Sequence, residues 1–306
     1  MRTIAKYLIK GLLAVFAALP LKVHYKIAGF LAWLISSVVH YRTDDVMVNL
    51  SRCFPEKNYW ELRDIKKQFY YHFAKVLVES IWLGGCHNPE RLRKGHLVEI
   101  VNPGTIAELY ENSPSVMILY GHCGNWEVYG GIENYNYTDI PTHINESNYC
   151  VVYRELSSPV WNEVMRDNRF SLVKDREHFE GYIESKLLVR YILTHKGEKK
   201  IYTVNTDQRP YFKAPDYMMV NFLHQECQTM SGAAALAHKL GFSVAYQSLR
   251  ERPDGHGYYL EYVPICQDAS GMSVEEIVRQ FYALLEKDIV GQPHNYLWTH
   301  RRWAKI

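Results

Sequence analysis

Apolar positions along this chain change their pattern twice. Up to about residue 43, two apolar runs, Gly11–Leu21 (GLLAVFAALPL) and Ile27–Val39 (IAGFLAWLISSVV), are interleaved with cations. Asn49–Pro55 (NLSRCFP) interrupts that character and reads as a linker. Between Trp60 and Leu83 the spacing becomes amphipathic. Leu62, Ile65, Phe69, Phe73, Val76, Leu77, Ser80 and Ile81 follow mostly in steps of three and four, which predicts a long helix ended by Gly84-Gly85. Beyond it, short apolar runs alternate with helical patterns. Val98–Val101, Val116–Tyr120, Tyr149–Tyr153, Tyr202–Asn205 and Val244–Ser248 read as buried strands, and Tyr258–Val263 as a more exposed one. Helical spacing occupies Ile106–Glu111, Ser158–Asn168, Gly181–Thr194, Ser231–Leu240 and Ser273–Val290. Strands alternating with helices predict an α/β fold, a mostly parallel central sheet flanked by helices. The expected organisation is a membrane-associated helical segment over residues 1–43 and a single α/β domain over 44–306.

Composition narrows the class. With 306 residues, 47% hydrophobic and 22% charged, the chain is neither disordered, collagen-like nor a multi-pass membrane protein. A net charge of only +2 argues against a nucleic-acid partner. That charge is uneven: residues 1–43 hold Arg2, Lys6, Lys10, Lys22, Lys26 and Arg42 and no acid. Neither apolar run reaches the roughly 20 residues a span requires. Joining Ile4 to Leu21 gives 18 residues, if Lys6 and Lys10 snorkel. A secretory signal is disfavoured because no small-x-small cleavage site follows cleanly, and core helices rarely carry six cations without an anion. Attachment to a bilayer is expected, as an interfacial hairpin in preference to a single span. Cys53, Cys86, Cys123, Cys150, Cys227 and Cys266 form no C-x-x-C pair, which argues against structural zinc and a disulfide framework and fits a reducing compartment. No metal or cofactor is expected: there is neither a Walker sequence nor G-x-G-x-x-G.

The sharpest chemical feature is Leu119–Glu127, L-Y-G-H-C-G-N-W-E. A predicted strand ends at Tyr120, and strand ends are where open α/β sheets place their sites. Glycines on either side of His122-Cys123 expose the imidazole, and Asn125 is a candidate helix cap with Glu127 in the first turn. Five residues apart, His122 and Glu127 can serve as a general base and the carboxylate that orients it. The same residues also fit a capped polar turn with a first-turn helix charge. Cys123 beside His122 is poorly placed as a nucleophile, because neighbouring residues on a strand point to opposite faces.

The anchor followed by G-H-x4-E resembles the lauroyl/myristoyl-type lipid A biosynthesis acyltransferase family, within the wider H-x4-D/E glycerolipid acyltransferase group. Four more segments resemble family elements in the same order: Asn49–Pro55 (N-L-x-x-x-F-P), Val152–Arg154 (VYR), Thr206–Gln208 (TDQ) and Tyr296–Trp303 (YLWTHRRW). The similarity runs from the N-terminus to the last residues. It implies that His122 takes a proton from an acceptor hydroxyl while Glu127 holds the ring, and that Arg154 and Asp207 belong to the site, with Gln208 behind them. The implied partners are a membrane lipid acceptor and an acyl-carrier protein or other acyl thioester donor. The implied location is the cytoplasmic face of a bacterial inner membrane.

Other readings of these residues stand beside that one. Arg154 after a strand suits a phosphate or the donor's polar part, but also a surface ion pair. Asp207 can fix Arg154 or a sugar hydroxyl, or simply cap a helix. His300, Arg301 and Arg302 fit a contact with a membrane or an acidic carrier, or a solvated charge run. Within the dyad, C-G-N-W replaces the bulkier apolar residues of the best-known bacterial members, and Tyr129, Tyr135, Tyr137 and Tyr149 follow. These departures leave the acceptor open between a lipid A precursor, a lyso-aminolipid and a lysophospholipid. A lipid thioesterase or a non-catalytic membrane scaffold are the remaining alternatives; a serine hydrolase would need a G-x-S-x-G elbow, which is missing.

Overall fold

Val116–Tyr120 lies at the centre of a seven-stranded sheet, and everything that positions the site follows from its neighbours. The computed structural model describes residues 11–155, 158–210 and 218–303. Among them the helices are α1 Gly11–Ala18, α2 Leu21–Trp33, α3 Thr43–Cys53, α4 Tyr59–Gly84, α5 Pro89–Gly95, α6 Pro103–Glu111, α7 Pro159–Arg169, α8 Leu188–Thr194, α9 Gly232–Leu240 and α10 Val274–Gly291. The strands are β1 Val98–Ile100, β2 Val116–Tyr120, β3 Tyr149–Tyr153, β4 Tyr182–Glu184, β5 Ile201–Asn205, β6 Met219–Phe222, β7 Gln225–Gln228, β8 Ser243–Glu251 and β9 Tyr258–Cys266.

The sheet order is β1-β9-β8-β2-β5-β3-β4, parallel throughout except for the β8–β9 hairpin. Every residue of β2 is buried. Met117 and Leu119 enter a core that includes α9, α10 and the first half of α4, whereas Val116, Ile118 and Tyr120 enter the opposite core with α6 and the end of α4. A central strand covered on both faces gains nothing from a polar position, which is why VMILY is apolar throughout. Because β2, β3, β5 and β8 run the same way, their carboxyl ends share one edge.

Helix α4 begins where Asn58 and Glu61 form a reciprocal capping box. At 26 residues it is about 39 Å long and touches both cores. Two elements differ from the pattern. The helix expected over Gly181–Thr194 is divided into the edge strand β4 and the short helix α8; three residues are too few to show an alternation. The separate β6–β7 hairpin turns through Leu223 and His224, with φ of 51° and 63°. Such turns usually carry glycine or asparagine, so no sequence signal marks this one.

Asn49–Pro55 is not a linker. Asn49 lies inside α3, buried, and its Nδ2 donates to the carbonyls of Trp298 (2.9 Å) and His300 (3.1 Å). Leu50, Cys53 and Phe54 are buried with it. Asn49, a polar residue that suggested exposure, holds the C-terminal segment in place.

Of the membrane segment expected over residues 1–43, residues 1–10, with Arg2, Lys6 and Lys10, lie outside the described residues. Among the described residues no single helix is long and apolar enough to cross a membrane; α1 and the helical run Leu21–Val38 meet at 119°. Helix α2 buries Tyr25, Ala28 and Ala32, while Phe30 and Trp33 are exposed.

Asn49→Ala deprives two C-terminal carbonyls of a donor inside the protein. A stability loss of about 1–3 kcal/mol is expected, read by thermal or urea unfolding of the detergent-solubilised protein.

Candidate active site

Strand β2 delivers the chain into a turn held from the C-terminal side. His122 C=O accepts from Leu297 N–H (3.1 Å), and Gly124 N–H donates to the backbone carbonyl of Asn295 (3.0 Å). Cys123 and Tyr296 form an isolated antiparallel bridge between these two bonds. Gly124 has φ +65°, and a Cβ there would lie 2.6 Å from the Leu249 side chain, so both backbone and space require glycine. The segment expected to be a contact surface is therefore first a brace for the histidine turn.

The partner of His122 comes from register. In the parallel β2–β5 pair, Tyr120 lies opposite Asn205. Two residues further along each chain, His122 and Asp207 are level. The His122 Nδ1 lies 2.7 Å from Asp207 Oδ1, and the His122 backbone N–H donates to Oδ2 at 3.1 Å. Burial pushes the Asp207 carboxyl upward, but the nearby His122 and the hydrogen bonds from its ring and backbone outweigh it and hold the carboxyl below its usual value. An ionised carboxylate only accepts, so Nδ1 carries the proton and Nε2 presents a lone pair. The Gln208 amide nitrogen lies 2.9 Å from that Nε2 and donates to it. Trp126 meets the imidazole edge to face at 5.1 Å, and the His300 ring lies nearly parallel to it at 6.5 Å.

Glu127, expected to orient His122, is paired instead with Arg169. Its two oxygens are taken by Arg169, with Nε and Nη2 each at 2.9 Å, and among the described residues no hydrogen bond or ion pair joins it to His122. The reason is local. Asn125 Oδ1 accepts the Glu127 N–H at 3.0 Å, and the chain enters a short 3₁₀ turn over Val128–Asn134 rather than an α-helix, which aims Glu127 at α7. The same Arg169 guanidinium lies 5.1 Å from the Tyr153 ring centre, tying Glu127 to the end of β3.

The other candidates divide. Arg154 directly follows β3, exposed on the edge that also carries His122 and Asp207. His300 reaches the site itself; burial, outweighing the attraction of Asp207, lowers its pKa. Arg301 is exposed and pairs with Asp45 at 3.1 Å. Arg302 is no surface contact: it is 2% exposed and donates to the Gln228 carbonyl (2.5 Å) and the Tyr282 hydroxyl (2.9 Å). A cation that looks solvated in a basic tail is enclosed because α10 and β7 meet there.

Behind the turn lies a polar network that the apolar spacing of α4 concealed. Asn125 Nδ2 donates to Glu79 Oε2 (3.1 Å), which also accepts from the Tyr258 hydroxyl (2.9 Å). Burial pushes the Glu79 carboxyl up to about 7. One turn earlier, Lys75 donates to Glu251 and to the Gly255 carbonyl. Cys123 is wholly buried, and burial raises its thiol far above the range of a reactive thiolate.

The geometry supplies a proton acceptor with a fixed tautomer, a buried carboxylate behind it and an amide in front, at the carboxyl edge of a parallel sheet. Comparison with known proteins identifies the family. The model of the bacterial lipid A biosynthesis acyltransferase family matches residues 1–305. The lipid A biosynthesis lauroyltransferase of Escherichia coli (strain K12) is 24% identical over 300 residues, covering 96% of this chain and 89% of that one. With a family match over nearly its whole length, this chain belongs to the bacterial lipid A biosynthesis acyltransferases.

Proposed function

We propose that this acyltransferase moves a fatty acyl chain from an acyl thioester, carried by acyl-carrier protein, to a hydroxyl of a lipid A precursor at the cytoplasmic face of the inner membrane. The observation that carries the mechanism is His122, its Nδ1 tied to Asp207 and its Nε2 directed at Gln208. The acceptor hydroxyl displaces the Gln208 amide and donates to Nε2. As its oxygen attacks the thioester carbon, the proton passes to His122, and Asp207 stabilises the imidazolium. The tetrahedral intermediate collapses with cleavage of the C–S bond, and His122 returns the proton to the leaving sulfur. Gln208, displaced but still beside the ring, is a donor for the oxyanion. Arg154 clamps an anionic part of a substrate, and the exposed Arg301 meets the acidic carrier. Glu127 acts through Arg169, holding the turn rather than the ring.

Purified full-length protein with a lyso-lipid A precursor and acyl-carrier thioester tests this reading. Transfer supports it; acceptor-independent thioester loss would make the protein a thioesterase, and neither a scaffold. Lipid mass spectrometry of cells with and without the protein names the acceptor, and loss of an acylated aminolipid would replace lipid A with that acceptor.

His122→Ala and Asp207→Asn are each expected to lower kcat by roughly 10²–10⁴-fold, since one removes the base and the other its counter-charge. Glu127→Gln is expected to cost on the order of 2 kcal/mol of stability, because Arg169 is left enclosed without a full charge partner. A Glu127→Gln protein of unchanged melting temperature that loses as much turnover as Asp207→Asn would return the orienting role to Glu127.

Membrane attachment is proposed through the exposed apolar residues of the first helices, among them Leu12, Val15, Phe30 and Trp33. Truncation at Thr43 would strip Ala28 and Ala32 from the core, so surface substitution is the cleaner test. Phe30→Asp/Trp33→Asp is expected to shift the protein from the membrane to the soluble fraction of a cell lysate with its fold intact. Unchanged partition would place the anchor elsewhere.

A further inference from the structure

A cavity of about 790 Å³ lies between α2, the end of α4, α5 and the β8–β9 turn. Lys22 and Lys26 line it from α2, Arg91 and Lys94 from α5, and Tyr25 and Trp82 supply aromatic surface. Its one carboxylate, Asp254, sits 4.0 Å from Arg252. The cations differ in what they can offer. Arg91 donates to the carbonyls of Gly85, Ala17 and Leu19 and lies 5.6 Å from the Trp82 ring centre, so its donors are occupied while its charge still faces the cavity. Lys22, Lys26 and Lys94 are exposed and have no acidic partner among the described residues. Three ammonium groups and a fixed guanidinium around one cavity leave positive charge that the protein does not neutralise.

We infer that this cavity binds the phosphorylated headgroup of a membrane lipid. Charge complementarity selects an anion: ammonium groups bind phosphate as point charges, and the guanidinium adds to their field. A lipid rather than a free phosphate follows from the cavity's surroundings. Lys22 and Lys26 are one turn apart on α2, and the same 4–4–3 spacing continues to Phe30 and Trp33, both exposed. One helix face thus passes from cationic at the cavity to apolar beyond it, as a headgroup and its acyl chains would require. The cavity also shares an edge with His122. Strand β8 runs parallel to β2, so the β8–β9 turn that forms one wall lies at the carboxyl end, as does the histidine turn. The cavity chemistry does not depend on catalysis; that the bound lipid is the acyl acceptor rests on the proposed acyl transfer.

The test uses full-length protein in detergent and titrates short-chain phosphatidic acid, the matched phosphatidylcholine and inorganic phosphate by calorimetry. The first is expected to bind at least about tenfold more tightly than either of the others, because it combines phosphomonoester and apolar chains. Lys22→Gln/Lys94→Gln is expected to weaken phosphatidic acid at least about tenfold, with an unchanged melting temperature since both side chains are exposed. Arg63→Gln/Lys67→Gln, an equal charge loss on the far part of α4, is expected to leave binding unchanged. Equal binding by the Lys22/Lys94 variant, or an equal loss in the Arg63/Lys67 control, would overturn the site. Inorganic phosphate binding as tightly as the lipid would overturn the lipid assignment. Specific binding by wild-type protein that shows no acyl transfer would support the site while removing the catalytic reading.

Discussion

The hydrogen-bonded register between β2 and β5 is the constraint on which the site depends. Tyr120 opposite Asn205 makes the residues two places on, His122 and Asp207, neighbours by geometry rather than by side-chain reach. The ladder continues one step past the strands, where Thr206 N–H donates to the Tyr120 carbonyl at 3.0 Å. Both Asp207 oxygens are then spent on His122, one on the ring and one on its backbone. A carboxylate held at both oxygens fixes the ring's tautomer as well as its direction, and a general base needs both.

Around that pair the structure spends polar groups on rigidity. The turn is held in front by the C-terminal segment through Asn295 and Leu297, and that segment is held in turn by Asn49 from α3. Behind it, Asn125 joins Glu79 and Tyr258, and Glu127 joins Arg169. Each of these contacts restricts the turn to one arrangement. The segments that resemble family elements at the two ends of the chain, Asn49–Pro55 and Tyr296–Trp303, are thus two halves of one brace.

The same edge of the sheet faces two chemistries. At β2 it carries the histidine and its carboxylate; at the β8–β9 turn it faces the cationic cavity roofed by α2. The first helices therefore form part of one body with the sheet, since α2 contributes Ala28 and Ala32 to the core while exposing Phe30 and Trp33.

By itself the sequence determined the sheet's central strands, the long helix and the position of His122 at a strand end, because burial on both faces and 3.6-residue spacing leave direct marks in residue order. Strand bounds such as Val116–Tyr120 were legible to the residue. The partner of His122 was not. Glu127 is close in sequence and Asp207 is 85 residues away, and only the adjacency of β2 and β5 makes the distant carboxylate the near one. Arg302 and Asn49 show the same limit: polar residues read as exposed until the tertiary packing supplies the Gln228, Tyr282, Trp298 and His300 groups to which they donate. Local periodicity records which face a residue turns inward. Which polar group it meets there is decided by contacts between segments far apart in the chain, and a single sequence carries no spacing rule for those.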